Sequence, residues 1–178
     1  LLLSALLVVL TLLPAAALEA GAAKVDITPP LGTPLNGYLA RWGRGAVEVH
    51  DSVWVRCLYL DQDDTQIYLL SADLCVINRE LRDRVLELAP PHVPRENIIL
   101  TATHNHSGQG AMIRGLVWRS ISGRFMPDVL EMTAQGFAEA MRTAYANRRR
   151  AAIGFGTFTQ DDLSKNRQVE DGPIDEQV

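Results

Sequence analysis

The sequence predicts an α/β domain in which helices pack against a mixed β-sheet. Short β-rich runs alternate along the chain with two longer helical patterns. One of these β-rich runs is almost wholly apolar, which is typical of a strand in a sheet covered by helices. The chain has 178 residues and contains no internal repeat or low-complexity tract, so its body is expected to be one domain or a piece of a larger one.

The composition indicates a folded protein that does not bind nucleic acid. It is 47% hydrophobic and 21% charged, which excludes a disordered or fibrous chain. The formal net charge is −4, whereas a nucleic-acid partner requires a basic surface that displaces counterions. Cys57 and Cys75 are too few for a disulfide scaffold. Both fall in apolar strand patterns and are expected to be core residues, although they could pair in an oxidising compartment.

The first 18 residues, LLLSALLVVLTLLPAAAL, carry no charge. The run ends in small residues that fit a signal-peptidase site, with cleavage after Ala17, Ala20 or Ala22. We therefore predict that residues 1–22 are a signal peptide, truncated at its start because the Met and the basic segment are absent. The protein is then secreted or periplasmic. A membrane anchor and a buried helix remain the alternatives for this run.

The first half of the body predicts three strands. Residues 23–27 alternate like a short strand, and residues 28–48 are rich in Gly, Pro and Arg, which indicates an irregular segment. Residues 53–60 and 66–72 are β-rich and flank a polar turn. They predict a hairpin with a five-residue loop.

The second half predicts two helices and two strands. Asn78 is expected to cap a helix that ends near residue 88. Residues 97–102 predict a short apolar strand buried on both faces. Asp128 is expected to cap a long helix that ends near residue 147, and residues 151–159 predict a further strand.

The strongest chemical signal is the segment TATHNHSGQG, which directly follows the apolar strand. His104 and His106 are separated by one residue, so in an extended segment both imidazoles project to the same side. Imidazole is the commonest protein ligand for zinc. From these residues alone, a metal site and an ordinary hydrogen-bonded loop both remain open. The metallo-β-lactamase pattern is disfavoured, because Ser107 and Gly108 stand where that pattern has Asp and a further His.

Five segments, in consistent order, resemble the neutral/alkaline non-lysosomal ceramidase family: GAAKVDITPPLGTPLNGY, VHDSVWVRCLYL, SADL, NIILTATHNHSGQG and KNR. The resemblance runs from about Gly21 to the end. It implies that residues 23–178 are the N-terminal part of a ceramidase-like catalytic domain, incomplete at its C-terminus. The family motif usually reads HTHSGPG, so Asn105 and Gln109 depart from it. Gln109 in place of Pro is expected to make the loop less rigid.

The resemblance also implies roles for individual residues. His104 matches a zinc ligand, and His106 matches a catalytic residue beside the metal. Arg167 matches an active-site arginine, and His50 matches a position whose backbone carbonyl contributes to a structural Ca²⁺ or Mg²⁺ site. Apart from the resemblance, Asp73 is expected either to orient an imidazole or to cap a turn.

The function implied is zinc-dependent hydrolysis of the amide bond of ceramide or a related N-acyl lipid, giving a fatty acid and an amine, the sphingoid base in the case of ceramide. The expected partners are this lipid substrate and, transiently, a membrane surface. The alternatives are a hydrolase of another amide or ester and a non-catalytic exported binding domain with the same fold. A catalytic zinc needs about three protein ligands. The chain offers one matched ligand and a neighbouring histidine, so we expect it to bind zinc weakly and to be inactive by itself.

Overall fold

A five-stranded mixed sheet forms the centre of the molecule. The computed structural model describes residues 17–160, 165–166 and 168–174. The sheet order is β4-β3-β2-β1-β5, with β3 and β4 parallel and the other neighbours antiparallel. The strands are β1 (Glu19–Asp26), β2 (Trp54–Gln62), β3 (Thr65–Ala72), β4 (Ile98–Ala102) and β5 (Arg149–Arg150). The helices are α1 (Arg79–Leu88), α2 (Arg119–Ser122) and α3 (Pro127–Ala146), with 3₁₀ turns at Leu39–Arg41 and Arg95–Asn97. The predicted α/β class is confirmed.

The core lies between the sheet and helix α3, which packs on β1 and β2. Val55, Cys57 and Tyr59 alternate along β2 and are at most 3% exposed. Phe137 and Met141 of α3 are fully buried in the same cluster. The alternation of apolar residues in β2 thus decides which face of the sheet receives the long helix.

Helix α1 begins where the sequence predicts. The side chain of Asn78 accepts a hydrogen bond from the backbone N–H of Leu81 at 3.0 Å, which is the predicted N-cap. Arg84 of α1 donates a hydrogen bond from Nε to the carboxylate of Glu131 in α3 at 2.7 Å, which links the two helices. Hydrogen bonds from Arg84 and Gln135 lower the pKa of Glu131 to about 2.

The hairpin turn is shorter than predicted. Gln62 pairs with Thr65, so only Asp63 and Asp64 connect β2 and β3, and the five-residue loop is wrong. Asp63 has a φ of 55°, a left-handed conformation that Asp adopts more readily than most residues. The last two residues of β2, Asp61 and Gln62, are polar, so a prediction based on hydrophobicity ends the strand too early.

Two other strand predictions are also wrong. Ile99 is 47% exposed, so β4 is buried on one face only. Leu58, Leu69 and Ile99 share a row on the outer face of the sheet, and the described helices do not cover Leu58 or Ile99. Residues 151–158 form no strand, and Phe155 is 95% exposed. An alternating pattern gives a segment the side chains of a strand. A strand also needs a neighbouring strand whose backbone groups form hydrogen bonds with it, and the pattern does not provide that neighbour.

Strand β1 begins earlier than predicted, since Glu19 already pairs with Asp61. Of the three cleavage positions considered above, only cleavage after Ala17 leaves this strand whole. Residues 1–16 of the predicted signal peptide lie outside the described residues. Among the helices in the described part of the chain, none is both long and apolar enough to cross a bilayer.

Candidate metal centre

The parallel pairing of β3 and β4 positions the site. Ala72 and Ala102 are register partners at the ends of these strands, so the segments that follow leave the sheet at one edge. Cys75 follows β3 and His104 follows β4. The two residues are 29 positions apart in sequence and in direct contact. The sheet topology, and not sequence proximity, therefore brings them together.

His104 presents one ring nitrogen as a free donor. Its Nδ1 lies 2.7 Å from the carbonyl oxygen of Cys75. A carbonyl only accepts, so Nδ1 carries the proton and Nε2 keeps its lone pair. The φ of His104 is 57°, and a non-glycine residue in the left-handed region costs about 1–3 kcal/mol. Such strain at a predicted ligand is consistent with a functional position.

His106 points its Nε2 at the same place. The two Nε2 atoms are 3.4 Å apart. Two nitrogens bound to one tetrahedral zinc at about 2.0–2.1 Å would be separated by about 3.4 Å. The observed separation leaves room for a metal ion bound to Nε2 of His104, with Nε2 of His106 within reach of a water molecule on that ion. The Nδ1 atom of His106 is buried and has no hydrogen-bond partner among the described residues.

Cys75 supplies a third donor atom, although the sequence pattern did not indicate Cys75 as a site residue. Its Sγ lies 3.8 Å from Nδ1 of His104, and the side chain is almost fully buried. One ligand atom each from Cys75, His104 and His106 lies within 4.8 Å of the others. Burial raises the pKa of the Cys75 thiol. One sulfur and two imidazole nitrogens form a donor set suited to zinc, so the residues present fit the predicted metal.

Both cysteines are free thiols in the structure. Cys57 lies in the core beneath the sheet. Cys75 lies at the edge of the sheet beside the two imidazoles. The two cysteines, alike in sequence pattern, thus have different environments.

The segment 36–41 holds His106 from the other side. The ring of Tyr38 meets the His106 ring edge-on, with centroids 4.7 Å apart. Arg41 donates to the carbonyl oxygens of Asn36 and His106. Gly37 has a φ of 100°, and a Cβ there would lie 2.4 Å from Cγ of His106. This segment is irregular as predicted, but it forms a wall of the site; its Asn-Gly-Tyr sequence within the first family-like stretch was the available signal.

We expect Gly37→Ala to weaken zinc binding without removing a donor, because the new methyl group must displace the His106 ring. Gly32→Ala is the matched control. Gly32 also has a positive φ, 86°, but a Cβ there meets nothing within 4 Å. In both variants the alanine must adopt a positive φ, which lowers the stability of each by a similar amount, about 1 kcal/mol. Zinc titration with a competing chromophoric chelator should separate them; equal affinities would show that Gly37 does not position His106.

The loop after His106 is held by the two residues that depart from the family motif. The Oδ1 atom of Asn105 accepts hydrogen bonds from the backbone N–H groups of Ser107 and Gly108, at 3.0 and 2.7 Å. Gln109 is fully buried, and its Nε2 donates to the carbonyl of Ile27 and to Oγ1 of Thr133. The expectation that Gln109 loosens the loop is wrong, because its amide ties the loop to the end of β1 and to α3.

Asp73 does not orient an imidazole. Its Oδ1 lies 2.8 Å from Nη1 of Arg56, and its Oδ2 accepts from the backbone N–H of Trp54 at 3.2 Å. Asp73 therefore joins the end of β3 to the start of β2, which is neither of the two roles predicted for it. The carbonyl of Cys75 orients His104 instead.

His50 is not part of the cluster that the structure describes. The His50 side chain is 93% exposed and lies 2.8 Å from Asp51. It lines a groove of about 450 Å³ that also reaches Ser107 and Gln109. The role of its backbone carbonyl in a second cation site stays a prediction. Arg167 lies outside the described residues.

An apolar surface adjoins the metal centre. Residues 31–47 and 110–126 contain five arginines and no Asp or Glu. The 3₁₀ turn at Leu39–Arg41 packs against α2, so the two segments meet. Between 47% and 79% of each large apolar side chain is exposed at Tyr38, Leu39, Trp42, Leu116, Val117 and Trp118. We call these six residues the arginine-rimmed patch; it touches the site because Tyr38 packs on His106.

The profile of the family described as "Neutral/alkaline non-lysosomal ceramidase, N-terminal" matches residues 18–171. The chain belongs to this family. It is 27% identical to the neutral ceramidase of Drosophila pseudoobscura pseudoobscura over 144 residues, covering 76% of this chain and 20% of that protein. It is also 27% identical to the neutral ceramidase of Drosophila melanogaster over 138 residues, covering 72% of this chain and 19% of that protein. The chain thus spans about a fifth of the length of these ceramidases.

Solved ceramidase structures share the fold. The crystal structure of neutral ceramidase from Pseudomonas aeruginosa aligns with a TM-score of 0.77 at 23% identity, over 85% of this chain and 25% of that one. A structure described as ceramidase complexed with C2 aligns with a TM-score of 0.78 at 22% identity, over the same shares. The predicted resemblance and the α/β architecture of a ceramidase N-terminal domain are confirmed.

Proposed function

We propose that this chain is part of a zinc-dependent hydrolase that cleaves the amide bond of ceramide or a related N-acyl lipid to a fatty acid and an amine. The observation that carries the proposal is the 3.4 Å separation of the Nε2 atoms of His104 and His106 beside an exposed apolar surface. Membership of the ceramidase family supports the reaction class.

The residues of this chain have separate roles in the proposed hydrolysis. Zinc, when bound, would polarise the substrate carbonyl and activate water for attack. His104 would hold it through Nε2, and the Cys75 carbonyl fixes the orientation of that ring. His106, whose Nε2 would lie beside the metal and not bind it, would accept a proton from the attacking water and return it to the leaving amine, while the contact with Tyr38 holds its ring. Arg167 is proposed to stabilise the negative charge that develops on the carbonyl oxygen.

The arginine-rimmed patch supports a lipid substrate and a transient membrane contact. Exposed Trp and Leu side chains can enter the boundary between headgroups and acyl chains, while the surrounding arginines meet anionic headgroups. Large exposed apolar patches of this kind mark interaction sites. Because Tyr38 belongs to the patch and contacts His106, a lipid that leaves the bilayer there is delivered next to the metal centre.

We also propose that the protein is exported, with residues 1–22 containing the signal. A start of the mature chain at Leu18 would preserve all pairs between β1 and β2. A structural Ca²⁺ or Mg²⁺ held in part by the carbonyl of His50 belongs to the same proposal, since the groove beside His50 also contains the carboxylates of Glu48 and Asp51.

The test is an assay of the complete, zinc-loaded gene product on ceramide with a labelled acyl chain, presented in vesicles, beside short soluble N-acyl amides and esters. We expect release of labelled fatty acid, loss of release on chelation, and recovery with zinc. His106→Ala should lower the rate by about 10²–10⁴-fold, the usual contribution of a general acid–base group. His92→Gln, at a histidine that instead contacts Tyr68 and Tyr145, should not. Cleavage of only short substrates would favour the other hydrolase, and zinc binding without any cleavage would favour the non-catalytic domain.

A further inference from the structure

We propose that Cys75 binds the metal at this site directly, through Sγ, together with His104. The inference rests on the metal proposed at His104 but not on cleavage of ceramide. It assigns the thiol a function that neither the sequence motif nor the proposed reaction uses.

Two contacts of Cys75 with one imidazole support the assignment. Its carbonyl oxygen lies 2.7 Å from Nδ1 of His104, and its Sγ lies 3.8 Å from the same atom. The Cys75 carbonyl that orients the His104 ring therefore belongs to the same residue that places a thiol beside this ring. Donor atoms of Cys75, His104 and His106 lie within 4.8 Å of one another. In a tetrahedral zinc site, sulfur and nitrogen ligands are about 3.6 Å apart, which is within the 4.8 Å that encloses these donor atoms.

The position of Cys75 in the chain leaves its side chain able to adjust to a metal ion. It lies in the short connection between β3 and α1, outside both elements. Cys57, by contrast, lies within β2 and faces the core, where neighbouring strands fix its backbone. Only Cys75 is both close to two imidazoles and free of ladder hydrogen bonds that would hold it in place.

Coordination by Cys75 changes what the chain can bind. Sγ forms the bond to the metal, and the thiol proton passes to solvent; no electron is transferred. The chain then offers two ligands, Cys75 and His104, in place of the one matched in the sequence, so zinc binding should be tighter than the sequence predicts. A thiolate also favours zinc, cobalt and cadmium over magnesium and calcium, which prefer oxygen ligands.

The test is titration of the reduced protein with Co²⁺ alone, followed by absorption spectroscopy. We expect visible d–d bands of tetrahedral cobalt and a thiolate-to-cobalt charge-transfer band in the near ultraviolet. Cys75→Ala should lose the charge-transfer band, whereas Cys57→Ala, which removes the other thiol, should keep it. Far-ultraviolet circular dichroism of each variant checks that the fold is retained. For zinc itself, X-ray absorption should show a sulfur neighbour at about 2.3 Å that is lost only in Cys75→Ala.

The outcomes separate this inference from the proposed function. Cobalt bands without a charge-transfer band in the unmodified protein would overturn the role of Cys75 while leaving the metal at His104 in place. A band that survives in Cys75→Ala would overturn it as well. Absence of any cobalt or zinc binding would overturn both proposals. Loss of the band in Cys75→Ala alone would support the inference whether or not ceramide is a substrate.

Discussion

His104→Ala is expected to reduce zinc affinity by more than about 100-fold. Removing a group that merely supports a metal ligand costs about 10–100-fold, and His104 is proposed to be the ligand itself. It is also the residue held by the Cys75 carbonyl and the one whose Nε2 faces His106. Competition with a chromophoric chelator measures the affinity of each variant under identical conditions.

Two further variants make this prediction specific. His104→Asn removes the imidazole but keeps a residue that tolerates the left-handed φ of 57°, so it separates loss of the ligand from loss of the loop conformation. His50→Ala removes another histidine, whose exposed side chain is not part of the proposed zinc site, and should leave the affinity unchanged. Unchanged zinc affinity in His104→Asn would contradict the assignment of His104.

Gly21→Ala is expected to destabilise the fold by about 3 kcal/mol, near the upper end of the cost of overpacking a core. Gly21 is buried where β1 meets the end of α3. A Cβ there would lie 1.9 Å from the carbonyl oxygen of Ala144 and 2.8 Å from the backbone nitrogen of Arg148. Both atoms belong to the backbone, so the helix itself must move away from the sheet. Urea unfolding measures the loss as a lower midpoint with the slope unchanged.

The neighbouring residue provides the control. Ala22 lies in the same strand but points to solvent. Ala22→Val should therefore change the free energy of unfolding by no more than about 0.5 kcal/mol. If both substitutions destabilised the protein equally, the effect would come from β1 as a whole and not from the close approach of α3.

Local signals in the sequence predicted most of the fold. The capping side chain of Asn78 and the alternation in β2 are decided by neighbours within a few residues, and both predictions are confirmed. The hairpin turn and the strand at residues 151–159 depend instead on which backbone groups find a partner. Alternation of side chains carries no information on that pairing, which explains both errors.

The site was predictable only in part for the same reason. His104 and His106 are two residues apart, so their spacing indicated that both rings could point to one place, with a metal site and an ordinary loop both left open. Cys75 reaches His104 because β3 and β4 are parallel neighbours whose ends coincide at Ala72 and Ala102. The sequence does not show this strand pairing, so it did not indicate the Cys75 thiol as a candidate metal ligand. The burial of Gln109 likewise follows from the distant Ile27 and Thr133, which bind its amide.

The most direct test of the central claim is a zinc-edge anomalous difference map from crystals of the zinc-loaded protein. A divalent ion at His104 predicts a strong peak about 2.0–2.1 Å from Nε2 of His104, between that ring and His106. A map from fully loaded protein with no peak there, or with its only peak elsewhere, such as beside His50 and Asp51, would contradict it.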